Sequence, residues 1–368
     1  MPTGPRGQSA RATTGTDMIN ERDNLLKVVR FETPEYIPMH FHINPACWHH
    51  YPPDALAELM EAHPLLFPGF DAASETVPHS PGSGNRAGEA YEDAWGCVWE
   101  TTDDGITGVV TQHPLKDWSE YEAYAADHPR ADETTGADSQ TRIEQAFAAA
   151  AAEGRMKRGG LPHGHTFLTL SYIRGYENLI FDMTDREPQL MDLISLIEDY
   201  NMSIVHRNIE AGAEWMGYPE DLGMQVGPML APADFREYMK PSLQRLVAPA
   251  RDAGCIIHMH SDGDIRDLVD DLVDGGVQVL NLQDLVNGID WIQKRLAGKI
   301  CIDLDIDRQR VTRFGTPAQI DDLIREEVEK LGSREGGLMT IYGLYPGVPL
   351  ENVKALMDAM ERYTGYYS

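Results

Sequence analysis

From Gly164 onward the chain alternates short apolar runs with longer amphipathic ones. Thr166–Leu170, Cys255–Met259, Val277–Leu282, Ile300–Leu304 and Gly337–Ile341 read as strands buried on both faces, each entered or left through glycine or a polar turn. Between them, Tyr176–Asp182, Glu187–Ala211, Ala233–Asp252, Asp264–Gly275, Gly288–Leu296, Thr316–Leu331 and Leu350–Tyr363 carry helical periodicity. Strand and helix in regular alternation predict parallel βα units. The run of such units, without a Gly-x-Gly-x-x-Gly turn, favours a (β/α)8 TIM-type barrel over a doubly wound sheet. The first half is less regular. A helix is expected from Asn20 to Val29, a strand over Tyr36–His42, a short helix over Ala55–Ala62, and helices over Trp118–Ala126 and Ser139–Gly154. Tyr91–Glu100, closed by the turn-forming Thr101–Gly105, predicts a β-hairpin arm inserted near the N-terminus of the barrel. No internal repeat and no linker divides residues 18–368, so one domain is expected, preceded by a disordered tail over residues 1–17.

Composition narrows the class. With 368 residues and 42% hydrophobic content, a full core is affordable, and no run of about 18 apolar residues is present to span a membrane. The net charge of -28 argues against a nucleic-acid backbone as partner. Cys47, Cys97, Cys255 and Cys301 form no Cys-x-x-Cys pair and no disulfide framework, which fits a reducing, cytoplasmic setting. The tail lacks the apolar core of a secretion signal.

In a barrel, chemistry sits where strands end, and His42, Ser171, Asp221, His260, Asp262, Asp284, Asp305 and Tyr342 all fall near predicted ends. His258-Met-His260-Ser-Asp262 stands out. Side chains alternate along a strand, so His258 and His260 share a face, and Asp262 joins them if the strand continues. Two imidazoles and a carboxylate suit a metal site or a general acid/base site. The plainer alternatives are a core histidine at His258 and a helix N-cap at Asp262. His40 and His42 form a second pair, for substrate contact or for packing. Asp221 fits metal or substrate contact, or a turn; Asp305 fits catalysis, or a solvated loop. Arg174 and Arg266 are the nearest cations for a substrate carboxylate. Trp95 and Trp99 on the arm read as packing residues, with packing across a homodimer as one form of it.

Four stretches resemble the uroporphyrinogen decarboxylase family: Tyr342-Gly-Leu-Tyr-Pro-Gly-Val-Pro-Leu-Glu-Asn-Val353, Gly275-Gly-Val-Gln-Val-Leu-Asn-Leu-Gln283, Gly298-Lys-Ile-Cys-Ile-Asp-Leu-Asp-Ile-Asp307, and Phe235–Pro241 with the strand after it. Tyr91–Trp99 and His113–Trp118 resemble its corrinoid-dependent methyltransferase-like branch. The resemblance implies a (β/α)8 barrel. True decarboxylases hold substrate carboxylates with arginines near the N-terminus; Ile37–His50 has none and carries His40, His42, His49 and His50 instead. The family's closing-loop histidine falls on Tyr342, a hydrogen-bond or proton donor in that reading. The branch's zinc-binding His-x-Cys pair falls on His260 and Asp262, and its closing cysteine on Gly343 or a neighbour. The resemblance therefore implies an enzyme moving a methyl group between a small O- or N-methylated compound and a corrinoid protein. The cobalamin would ride on that separate partner, and zinc or another divalent metal would be held by His258, His260 and Asp262. An oxygen- and nitrogen-rich set of this kind favours activating oxygen over sulfur. A decarboxylase of uroporphyrinogen or a smaller acid is the second reading, and a non-catalytic small-molecule-binding barrel the third.

Overall fold

The computed structural model describes residues 19–71, 85–130, 136 and 138–368; the expected tail lies outside them. Seven strands form one sheet: β1 (Met39–Ile43), β2 (Arg158–Gly160), β3 (Trp215–Pro219), β4 (Ile256–Ser261), β5 (Val279–Gln283), β6 (Cys301–Asp305) and β7 (Leu338–Leu344). Their order is β1-β7-β6-β5-β4-β3-β2, and every pairing is parallel. The sheet curls into a half-barrel in keeping with a TIM-like fold. Among the described residues no ladder joins β1 to β2.

One predicted strand is absent. Thr166–Leu170 was expected to be extended, but Phe167–Arg174 is a helix. The reason is a tertiary acceptor. The buried Glu220 carboxylate accepts the backbone N–H groups of Thr166, Phe167 and Leu168 at 2.7, 2.9 and 3.0 Å. These are first-turn donors that a helix leaves unpaired, and apolar periodicity does not reveal an acceptor supplied from 52 to 54 residues away. Ser171 accordingly lies inside this helix, not at a strand end.

The two ends of the sheet differ. At the N-terminal end of the strands, the helix Glu21–Arg30 lays Leu25 and Val28 against Trp215, Ile256, Val279, Cys301 and Met339, residues at or next to strand starts. The Asn20 side chain accepts the Asp23 N–H at 2.8 Å and starts this helix. That apolar plug leaves the opposite end, where strands run into loops, for chemistry. The main core lies between the sheet and its outer helices, chiefly Pro188–Glu210, Lys240–Asp252, Pro317–Leu331 and Leu350–Tyr363.

The arm is a three-stranded antiparallel sheet of Tyr91–Glu92, Val98–Glu100 and Val109–Gln112. Asp93 organises its first turn, accepting from the Trp95 and Cys97 N–H groups and from the Trp99 indole. Trp95 and Trp99 pack edge-on within the same chain, against Tyr200 and Tyr172 at centroid distances of 5.2 and 4.7 Å.

Candidate metal and substrate site

Two loops at the strand C-terminal ends are fastened by their backbones. After β3 the chain runs Glu220-Asp221-Leu222-Gly223, and after β4 it runs Asp262-Gly263-Asp264. The Gly223 N–H donates to the Asp262 carbonyl at 3.2 Å, and the Asp264 N–H to the Met224 carbonyl at 2.7 Å. Gly263 has φ +81°, and a Cβ there would stand 2.1 Å from the Gly223 carbonyl carbon. Glycine is required by both the dihedral and the close approach. While Glu220 holds the helix start, Asp221 faces the other way and accepts the Asp262 N–H at 2.9 Å.

His260 is the centre of the site. Its Nδ1–H donates to Asn281 Oδ1 across the β4–β5 ladder. Its Nε2 faces Asp221 Oδ1 at 3.4 Å and Asp262 Oδ1 at 3.7 Å. Burial opposes the charged imidazole, but the two carboxylates outweigh it and raise the pKa to about 9. Asp221 also meets His163 Nε2 at 3.4 Å. Burial would push the Asp221 carboxyl up; hydrogen bonds from His163 and His260 hold it far below the ordinary range. His163 is raised in turn, chiefly by its hydrogen bond to Asp221. On the other flank, Arg308 Nη2 donates to Asp262 Oδ1 at 3.0 Å and to Asp305 Oδ2 at 2.8 Å. Burial nonetheless drives Asp305 up to about 7, against the pull of Arg308.

Two groups bring one ligand atom from each residue within 4.8 Å of one another: His163, Asp221 and His260, and His260, Asp262 and Asp305. This nitrogen and oxygen set fits a divalent cation such as zinc. The His260 ring is already oriented for it, with Nδ1 held by Asn281 and Nε2 turned to the carboxylates; metal-binding histidines have their other ring nitrogen held in this way. Beside the site is a cavity of about 310 Å³, lined among others by His42, Asn44, His260, Asn281, Asp305 and Arg308.

The other predicted residues lie elsewhere. His258 shares a strand face with His260 but sits one layer deeper, where its Nε2 is taken by Asp303 Oδ2 at 2.9 Å; it joins neither metal-competent group. His40 is in the same deep layer. Burial lowers its pKa to about 4, and its Nε2 has no described partner. His42, two residues on, lines the cavity. Tyr342 is fully buried on the opposite face of β7, 5.2 Å from the Phe41 ring, with its hydroxyl 3.3 Å from Thr312 Oγ1. The strand's alternation turns it away from the cavity, which Ile341 and Gly343 line instead. Arg174 is not at the mouth. It is buried against Asp182 at 2.8 Å, with its guanidinium 4.2 Å from the Trp118 ring centroid. Arg266 pairs with Asp264. Asp262 is no helix cap, since the next helix begins only at Val269.

His163, Asn281 and Arg308 did not emerge from the sequence. Only His163 left a signal, the Pro162-His163-Gly164-His165 run, and it was obscured because the strand was placed after that run, not before it.

A parallel half-barrel with a His/Asp cluster where its strands end defines a TIM-like barrel protein with an enzyme-type site. A profile described as uroporphyrinogen decarboxylase (URO-D) matches residues 99–363, and the chain belongs to that family. Among curated relatives, a uroporphyrinogen decarboxylase of Syntrophotalea carbinolica is 26% identical over 195 residues, 51% of this chain and 52% of that protein. One from Thermus thermophilus is 28% identical over 140 residues, 36% of this chain and 38% of that protein. The chain thus spans about half, or less, of the length of these relatives. In three dimensions it is similar to a methyltransferase from Methanosarcina mazei, with TM-score 0.64 and 18% identity, over 95% of this chain and 100% of that one. Among the described residues no helix is long and apolar enough to cross a membrane.

Proposed function

We propose that this URO-D family protein is a methyltransferase-like enzyme, moving a methyl group between a small O- or N-methylated compound and a corrinoid carried by a separate protein. The observation that carries the reading is the pair of His/Asp groups meeting at His260. His163, Asp221 and His260 would hold a divalent ion, with Asp262 and Asp305 on the flank. Such an ion supplies Lewis acidity toward the heteroatom that bears the methyl group. Asn281 keeps the His260 ring in register, and the Gly223–Gly263 contact keeps the two aspartates at their spacing. Without an ion, the proton on His260 Nε2 sits between the same carboxylates, so ion and proton compete for one place. The cavity beside His260 offers room for a compact substrate.

Full-length similarity to the Methanosarcina methyltransferase supports this reading, as does the cation content of the cavity wall. A porphyrinogen with eight carboxylates calls for several fixed guanidinium groups. Among the described residues lining the cavity the only arginine is Arg308, and β1 with the segment after it contributes His42 and Asn44. Two measurements test the proposal. Purified protein should bind one zinc per chain and lose it on His260→Ala. Zinc-loaded protein should methylate free cob(I)alamin from a methoxylated or N-methylated donor. Conversion of uroporphyrinogen to coproporphyrinogen by the same preparation would refute the reading in favour of decarboxylation.

A further inference from the structure

Arg308 leaves β6 on a turn that is tied down before any ligand arrives. The Asp307 carboxylate accepts the backbone N–H groups of Gln309, Arg310 and Val311, at 3.2, 2.9 and 2.6 Å. The guanidinium is then fixed by Asp262 and Asp305, but both of those bonds start from one nitrogen, Nη2. Nε and Nη1 donate to no described group. Nη1 lies along the cavity wall, since a Cβ built on Gly343 would stand 3.5 Å from it. The exposed Tyr345 ring lies beside the same guanidinium, 5.7 Å from Cζ. Asp262 does not belong to Arg308 alone, because its Oδ1 also faces His260 Nε2.

An immobilised guanidinium with donors open to a cavity is a receptor for an anionic oxygen. Little side-chain entropy remains to be lost when a ligand docks. A neutral ether would strip water from Nη1 and return only a weak, uncharged acceptor, so part of the desolvation would go uncompensated. Gly343 leaves this side of Nη1 open; a Cβ there would already stand in contact with it, and a long side chain would project across it.

We propose that Arg308, admitted to the cavity past Gly343, recognises a carboxylate on the substrate, so that the compound taken is a compact O- or N-methylated carboxylic acid and not a neutral ether or a simple amine. The inference deepens the methyl-transfer reading and rests on it for the identity of the site. Its test is a binding measurement that requires no turnover. Wild-type protein is titrated calorimetrically with methoxyacetate and 4-methoxybenzoate, and with their uncharged partners 1,2-dimethoxyethane and anisole. At least one carboxylate should bind roughly tenfold or more tightly than its uncharged partner. Arg308→Gln should abolish that preference. Gly343→Leu, which keeps the guanidinium and its ion pairs but fills the cavity, should abolish it too and guards against misfolding of the first variant. Equal binding of charged and uncharged partners, a preference that survives either substitution, or no binding by any carboxylate would overturn the proposal. Carboxylate binding that depends on Arg308 without methyl transfer would retain the receptor and remove the methyltransferase reading. Methyl transfer from uncharged donors alone would do the reverse.

Discussion

Glu327, on the helix Pro317–Leu331, has no solvent exposure, and neither of its carboxylate oxygens has a hydrogen-bond partner unless a proton is shared with Asp284. Burial, and then the charge of Asp284, push Glu327 well above its ordinary value of 4.5. Asp284, 1% exposed, is itself driven up to about 6 by burial, while it accepts the Asp307 N–H at 3.0 Å. The folded pair therefore keeps a proton that the unfolded chain releases as pH rises past 4.5. Between that pH and the folded pair's own titration the unfolded state binds fewer protons, so stability falls with rising pH; the slope fades only as pH drops below the ordinary values of both carboxyls, 4.5 for Glu327 and 3.8 for Asp284. One retained proton corresponds to a slope of about 1.4 kcal/mol per pH unit. Glu327→Gln keeps the shape, supplies a permanent donor to Asp284 and removes the titrating group. Urea unfolding of wild type and variant at pH 5, 6, 7 and 8 should show a small difference at pH 5. The variant should become progressively more stable than wild type above that, by up to about 1.4 kcal/mol for each unit in which the proton is held. Parallel pH profiles, or a variant destabilised equally at every pH, would refute the shared proton.

Three further outcomes are expected. His163→Ala should weaken zinc binding by more than roughly tenfold and Asn281→Ala by roughly 10–100-fold, whereas His258→Ala should leave zinc stoichiometry intact; chelator competition measures all three. Arg174→Ala strands the buried Asp182 carboxylate and should cost about 3–5 kcal/mol in chemical denaturation with little change in zinc affinity. Gly263→Ala, at φ +81° against the Gly223 backbone, should cost roughly 2–5 kcal/mol and also impair zinc binding, because the two aspartate-bearing loops must separate.

Much of the barrel half was legible because its strands are buried on both faces and its helices are long. Periodicity located β4 through β7 to within a few residues. It failed at Thr166–Leu170, where an apolar run of strand length became helix once Glu220 capped it. The alternation rule put His258 and His260 on one face, as the strand does, but face alone does not specify depth. One turn of the pleat separates a histidine paired to Asp303 from one at the mouth. Tyr342 shows the converse: correct strand, opposite side. Arg174 looked like a mouth cation because it follows the misassigned strand, and inside a helix it finds Asp182 eight residues on. Arg308 and Asn281 carry no local pattern, since their roles arise from partners supplied by β4 and the loop after it.

Where Gly223 meets Gly263, the space that each side chain would need is filled by the other loop's main chain. Neither position can drift on its own, because a change at one is a change in the fit of both. The separation of Asp221 and Asp262 is thus set largely by backbone against backbone, with one side-chain tie, the Asp221 carboxylate on the Asp262 N–H. A side chain added at either glycine would therefore be felt at both aspartates, because it would shift the loop that carries each of them.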